Sequence, residues 1–160
     1  MKILWAPWRI KYIEGFKKGY ECIFCIKSKD KNDKKNFILK RGKYSFVIMN
    51  IFPYNPGHLM VAPYKHVPEL GDLNKEEIYE IMELVKESIE VLKKVYSPHG
   101  FNIGVNIGKI AGAGFEEHIH FHIVPRWEGD TNFMPVLGNT KIISEELKRS
   151  YRRLKKYYVK

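Results

Sequence analysis

Residues 118–124 read His-Ile-His-Phe-His-Ile-Val, three histidines alternating with apolar residues. Period-two alternation marks an extended strand, whose successive side chains point to opposite faces. The pattern places His118, His120 and His122 on one face and Ile119, Phe121 and Ile123 on the other, against a core. Three imidazoles in five residues on one face are not a packing solution, so this strand carries chemistry. Two chemistries suit it. His-x-His on a strand presents ligands to a metal ion, although the Cα atoms of His118 and His122 are ~13 Å apart at the strand rise, which strains three ligands on one ion. Alternatively, a neutral imidazole attacks phosphorus, and a covalent imidazole intermediate splits one difficult displacement into two easier ones. Neighbouring rings then bind phosphate oxygens or handle protons near pH 7.

Outward from this strand, the Gly/Ala loop GKIAGAG connects back to a predicted strand at Phe101–Ile107. Before it, Ile78, Ile81, Met82, Val85, Ile89, Leu92 and Val95 form a helical stripe that predicts a helix over Lys75–Tyr96. Asn74 and Glu77 stand as a capping box, and Ser97-Pro98-His99-Gly100 stops the helix. His58–Tyr64 reads as a strand ending at Pro63, after a turn punctuated by Pro53, Pro56 and Gly57. Phe37–Lys40 and Tyr44–Met49 read as a hairpin joined across Arg41-Gly42-Lys43. Residues 27–36 are polar and aperiodic and read as a solvated loop, and 125–140 as irregular chain. A C-terminal helix is expected over Ser144–Tyr158, capped by Ser144, with Leu147, Tyr151 and Leu154 on one face. The order predicts an α+β fold: an antiparallel sheet of about five strands, one long helix and a C-terminal helix.

With 160 residues and 44% hydrophobic content the chain builds one ordinary core, which excludes bulk disorder. No apolar run reaches the roughly 18 residues of a membrane span. MKILWAPWRI lacks a 7–15-residue apolar stretch, so no secretory signal is expected and the cytoplasm is the expected compartment. The net charge of +10 is uneven: residues 1–45 carry +9, 141–160 carry +6 and 46–140 carry −5. Basic ends suit a nucleic acid or any polyanionic substrate, and equally a solvated surface. Cys22 and Cys25 form one C-x-x-C, too few cysteines for a disulfide framework.

The sequence His118-Ile-His120-Phe-His122-Ile-Val resembles the H-φ-H-φ-H-φ-φ motif of the histidine triad (HIT) family of nucleotide hydrolases and transferases. The context agrees over roughly residues 20–127. Asn50–His66 (NIFPYNPGHLMVAPYKH) resembles the family's base and ribose pocket, and Gly104–Gly114 its glycine-rich approach to the triad. WAPWR…YI at 5–13 and RWEGDTNFMPVL at 126–137 look like the bacterial branch containing diadenosine tetraphosphate phosphorylases. The resemblance implies a HIT-like fold in one domain over 1–160, with short extensions at 1–20 and 128–160.

Residue by residue, it implies His120 as the nucleophile that becomes adenylylated, with His122 and His58 beside the α-phosphate. Asn50 matches a ribose contact and Asn106 a polar contact near the phosphate. Gly112 and Gly114 would offer backbone N–H groups. Lys109 is a weaker candidate to hold a second phosphate. Cys22, Cys25, His66 and His118 match the Cys₂His₂ set of a structural zinc, which assigns the first histidine of the triad to metal and the other two to phosphate.

The function implied is cleavage of dinucleoside polyphosphates, diadenosine tetraphosphate foremost, through an adenylyl-histidine intermediate, with phosphorolysis favoured over hydrolysis. Adenosine phosphoramidase activity is an alternative. So is a zinc-stabilised nucleotide- or RNA-binding module without catalysis. A homodimer or higher oligomer is expected, without membrane association; nucleic acid is a possible partner but not the favoured one.

Overall fold

The computed structural model describes residues 22–131 and 142–158. The extension at 1–20, the 5–13 motif and residues 132–137 of the second branch motif lie outside the described residues. Two short helices open the described chain, α1 at Ile23–Lys29 and α2 at Asp33–Asn36. Five antiparallel strands follow: β1 Ile38–Arg41, β2 Ser45–Met49, β3 Leu59–Pro63, β4 Gly100–Val105 and β5 Phe121–Arg126. They form one sheet in the order β1-β2-β3-β5-β4. The long helix α3, Lys75–Tyr96, comes between β3 and β4, and α4, Leu147–Tyr158, follows β5.

The central strands β2 and β3 are buried along their whole length, which is why SFVIM and LMVAP are nearly continuous apolar runs. Val47, Met49, Leu59, Val61, Ile119, Phe121 and Ile123 pack under α3 and α4. Phe46, Ile48, Met60 and Ala62 face the other way and pack around Phe24 of α1. Each buried Val, Leu, Ile, Phe or Met among them contributes about 1.5–3 kcal/mol by leaving water.

The loop expected at 27–36 is instead the end of α1 and the whole of α2. Phe24, 1% exposed, anchors α1, and the polar run is its solvated side. Arg41 takes up the carbonyls of Ser28 at 2.6 Å and Asp30 at 2.7 Å while pairing with Asp33 at 2.8 Å. Asn32 caps α2 by accepting the Lys35 N–H at 3.0 Å. The Phe24 and Arg41 contacts are tertiary and the Asn32 cap is local, so no periodicity announced the helices.

The capping box of α3 is present: Asn74 Oδ1 accepts the Glu77 N–H and Glu77 accepts the Asn74 N–H, both at 2.8 Å. Its buried face runs through Ile81, Leu84, Val85, Ser88, Val91 and Leu92, whereas Ile78 and Met82 of the expected stripe lie at the surface. Glu80, on the same helix, accepts the backbone N–H groups of Lys43 (2.6 Å) and Tyr44 (2.7 Å) and the Ser45 hydroxyl (2.7 Å). One carboxylate thus closes the β1–β2 turn, and at Gly42 a Cβ would lie 2.8 Å from it.

Helix α4 begins at Leu147, three residues later than expected, and Ser144 is not its first turn. The approach is fixed by Glu145, whose carboxylate accepts from Tyr96 Oη, from Ser150 Oγ (2.6 Å) and from Arg153 (2.6 Å). Tyr158 Oη donates to Ser88 Oγ at 2.7 Å and Tyr151 Oη to the Ile38 carbonyl at 3.2 Å, so α4 ties α3 to β1. No helix among the described residues is long and apolar enough to cross a membrane.

Candidate functional site

The expected alternation holds at the triad, but the strand starts later than its pattern suggests. Residues 118–120 precede β5, because β3 ends at Pro63, which has no N–H to extend the ladder. The Ile119 N–H bonds the Val67 carbonyl instead, at 2.7 Å. Ile119, Phe121 and Ile123 still enter the helix-side core. The three rings lie on the opposite face, where Phe24 covers His118 and His120 with ring centroids 5.1 and 4.7 Å away. The His120 and His122 rings are 4.9 Å apart.

Hydrogen bonds fix the protons on these rings. His120 Nδ1 lies 2.8 Å from the His118 carbonyl, which only accepts, so Nδ1 carries the hydrogen and the Nε2 lone pair is left for the cleft. His58 Nδ1 accepts the Tyr54 N–H at 3.1 Å, with the Asn50 amide at 3.4 Å, so its hydrogen is on Nε2. That hydrogen points at His122 Nδ1, 2.9 Å away, and this makes Nε2 the donor of His122. Burial holds His120 below the ordinary imidazole value, and His58 well below it, the latter helped by the neighbouring His122 and His120. Both rings are therefore neutral at pH 7.

His58 reaches this position through the turn before β3. Gly57 has φ +76°, and a Cβ there would lie 2.9 Å from Leu92 Cδ2 and 3.0 Å from Tyr96 Cε2, so only glycine lets the turn press on α3. Asn55, which the sequence did not single out, is buried and donates to the Pro125 carbonyl (2.9 Å) and to Asp130 (2.8 Å). Arg126 pairs with Asp130 and holds its carboxyl well below the usual carboxylate range. Pro56 and Gly57 marked a turn there, but not the distant partners of Asn55.

A cleft over this face is lined by Asn50, Gly112, Gly114, His120 and His122, together with Ile23, Phe24, Lys27, Ile51, Phe52 and Tyr54. Its walls are mostly apolar, with the imidazoles at one place. Asn50 Oδ1 accepts the Phe52 N–H at 2.9 Å and so shapes the turn of this wall. Asn106 lies outside this cleft and in a second groove across His122, with Asn102 and Gly104; its amide donates to the Gly112 carbonyl at 3.4 Å. Gly112 has φ +88°. Lys109 is exposed and lines neither groove.

The four expected metal ligands converge. Cys22 Sγ lies 3.3 Å from His118 Nδ1, Cys25 Sγ lies 3.4 Å from His66 Nδ1 and 3.6 Å from His118 Nδ1, and the two Nδ1 atoms are 3.2 Å apart. All four donor atoms fall within 4.8 Å of one another. A tetrahedral Zn²⁺ with its usual bond lengths sets N···N edges of ~3.3 Å and N···S edges of ~3.6 Å, which this cluster fits. His118 Nε2–H donates to the Pro63 carbonyl at 2.9 Å, leaving the Nδ1 lone pair aimed at the cluster. The Cys22 thiol, pushed up to about 11 by burial, is a thiol until a cation or base takes its proton.

The model of the HIT domain matches residues 31–129. The chain is 47% identical over 123 residues to the AP-4-A phosphorylase of Mycobacterium tuberculosis, a match covering 77% of this chain and 63% of that protein's length. It is 33% identical over 112 residues to the bis(5'-adenosyl)-triphosphatase of Dictyostelium discoideum, covering 70% of this chain and 74% of that one. A Zn-bound histidine triad family protein from Mycobacterium smegmatis superposes with a TM-score of 0.68 at 26% identity, over 86% of this chain and 93% of that one. The alternating histidines, the sheet that carries them and these likenesses agree: the chain belongs to the HIT domain family.

Proposed function

We propose that the protein cleaves the bond between the α- and β-phosphates of a dinucleoside polyphosphate, diadenosine tetraphosphate first among them. The observation that carries this reading is the directed set of hydrogen bonds that leaves His120 Nε2 with a lone pair and His122 Nε2 with a hydrogen, on two rings that line one cleft. His120 Nε2 attacks the α-phosphorus, the N–P bond forms and the bridging P–O bond breaks. The departing nucleoside triphosphate is a stable anion and needs little protonation. His122 Nε2–H donates to a phosphate oxygen as charge builds, and His58 keeps that hydrogen in place. Asn50 contacts the ribose, and Gly112 and Gly114 let the backbone approach the phosphate. Attack by inorganic phosphate on the adenylyl-His120 gives ADP and frees the ring; attack by water gives AMP.

The likeness to an AP-4-A phosphorylase supports the phosphate-dependent outcome. Product analysis decides it: ADP and ATP appearing only when inorganic phosphate is added marks a phosphorylase. AMP and ATP forming at a rate indifferent to phosphate marks a hydrolase. No turnover of any dinucleoside polyphosphate, with nucleotide still bound, leaves the binding module.

Cys22, Cys25, His66 and His118 would hold one Zn²⁺. When bound, the ion supplies a closed four-ligand crosslink and no open position for substrate. The second copy expected in solution has a ready edge in β4, where Asn102, Ile103 and Gly104 are exposed at the end of the sheet. Light scattering tests this with a mass of twice 18.9 kDa or a multiple.

A further inference from the structure

The catalytic cleft contains one ammonium among the described residues, and the reaction above has no use for it. Lys27 lines the cleft half-buried, on the same face of α1 as Ile23 and Phe24. No carboxylate among the described residues lines the cleft, and none pairs with Lys27. A cation half-withdrawn from water, with no carboxylate among the described residues beside it, can take an acceptor from the ligand.

Its place along the cleft says which part of the ligand. Cys22, the residue before α1, lies against His118 at the entry to β5. The helix ends over β1, where Arg41 takes the Ser28 and Asp30 carbonyls. β1 and β5 are separated by β2 and β3, three strand spacings or ~14 Å. Lys27 lies ~7.5 Å along the helix axis from Cys22, away from the imidazoles. The same cleft is lined by the apolar Ile23, Ile51 and Phe52, a slot suited to a flat ring. Along α1, Lys27 lies just under one turn, ~4.5 Å, beyond Phe24, the residue whose ring covers His120.

We infer that Lys27 is a specificity-determining residue that donates to the acceptor edge of the nucleobase, so that the cleft takes guanine as well as adenine. This rests on the nucleotide reading above. Guanine offers two adjacent acceptors, O6 and N7, to an ammonium; adenine offers N7 beside an amino group that donates, and repels. The lysine therefore favours an oxo-purine, where an apolar residue would leave that edge unpaired.

The test is calorimetric titration of the full chain with GMP, AMP and ribose 5-phosphate, comparing wild type, Lys27→Met and Lys27→Arg. Lys27→Met is expected to weaken GMP by about tenfold, the scale of a lost base-edge pair, and AMP by less than threefold. Ribose 5-phosphate should be unchanged, and Lys27→Arg should keep the GMP affinity. Equal losses for all three ligands would make Lys27 a phosphate contact and overturn the inference, as would an unchanged GMP-to-AMP ratio. In both cases nucleotides still bind and the nucleotide reading stands. Failure of the wild type to bind either nucleotide overturns both.

Discussion

The chemistry rests on which nitrogen of each imidazole carries its hydrogen, and backbone groups settle that for His120 and His58. His120→Asn should abolish turnover while nucleotide affinity stays within a few-fold, because the contacts proposed for base and ribose lie on α1 and in the turn after β2. His122→Ala removes a donor to developing charge and not the bond-forming atom, so a loss of about 10²–10³ in kcat is expected. Single-turnover product assays on both variants check the order; comparable losses would mean that the roles are misassigned. His58 gives a pH signature. Burial and the neighbouring rings keep it neutral in the fold, whereas the unfolded chain protonates it near the ordinary imidazole value of 6.5. Its stabilising contribution is complete above that pH and is lost as pH falls from 6.5 toward the lower folded value. Urea midpoints at pH 7.5 and 5.5 should therefore drop more for the wild type than for His58→Gln. Equal drops would show that His58 does not carry the dependence.

Among the elements, α3 does more than cover the sheet. Its Glu80 accepts three hydrogen bonds at the β1–β2 turn, and Glu80→Ala leaves the Lys43 and Tyr44 N–H groups and the Ser45 hydroxyl without their acceptor. A cost of about 2 kcal/mol is expected, on the scale of polar groups deprived of a charged partner. Denaturant unfolding measures it, and a change below ~0.5 kcal/mol would show that water replaces the carboxylate. The boundaries of α3 were legible at 75 and 96 because caps and stop signals are local in sequence. Its buried face was not fully legible. Ile78 and Met82 belong to the apolar stripe yet lie outside, and Ser88 lies inside because Tyr158 and the Leu84 carbonyl satisfy its hydroxyl. α1 and α2 were missed for a related reason, since one buried phenylalanine and a distant Arg41 hold what reads locally as a charged loop.

For the whole molecule, the Cys₂His₂ cluster joins three parts of the chain: α1, the segment after β3 and the entry to β5. Purified protein should contain about one Zn²⁺ per chain, and Cys22→Ala should lose it. Chelation should lower Tm by about 10 °C, the equivalent of ~3 kcal/mol in a chain of this size. It should also weaken turnover, because Phe24 on the tethered helix covers His120. Scanning calorimetry with metal analysis tests this; a metal-free protein of unchanged Tm, with a Cys22–Cys25 disulfide, would refute it.

By itself the sequence determined what repeats at short range: the alternation that sends three imidazoles to one face, the strand and helix periods, the caps of α3. The spacing of its cysteines and histidines, read against a family pattern, pointed to a metal cluster. The tertiary structure alone decided the rest. The tautomer of His122 depends on His58, a ring 64 residues away that folding brings to it. The late start of β5 depends on where β3 ends, and the start of α4 on Glu145 meeting Tyr96. Lys27 became a cleft residue only when α1 was laid across the sheet. Periodicity is set by backbone geometry one residue after another, whereas partners separated by tens of residues leave no period to read.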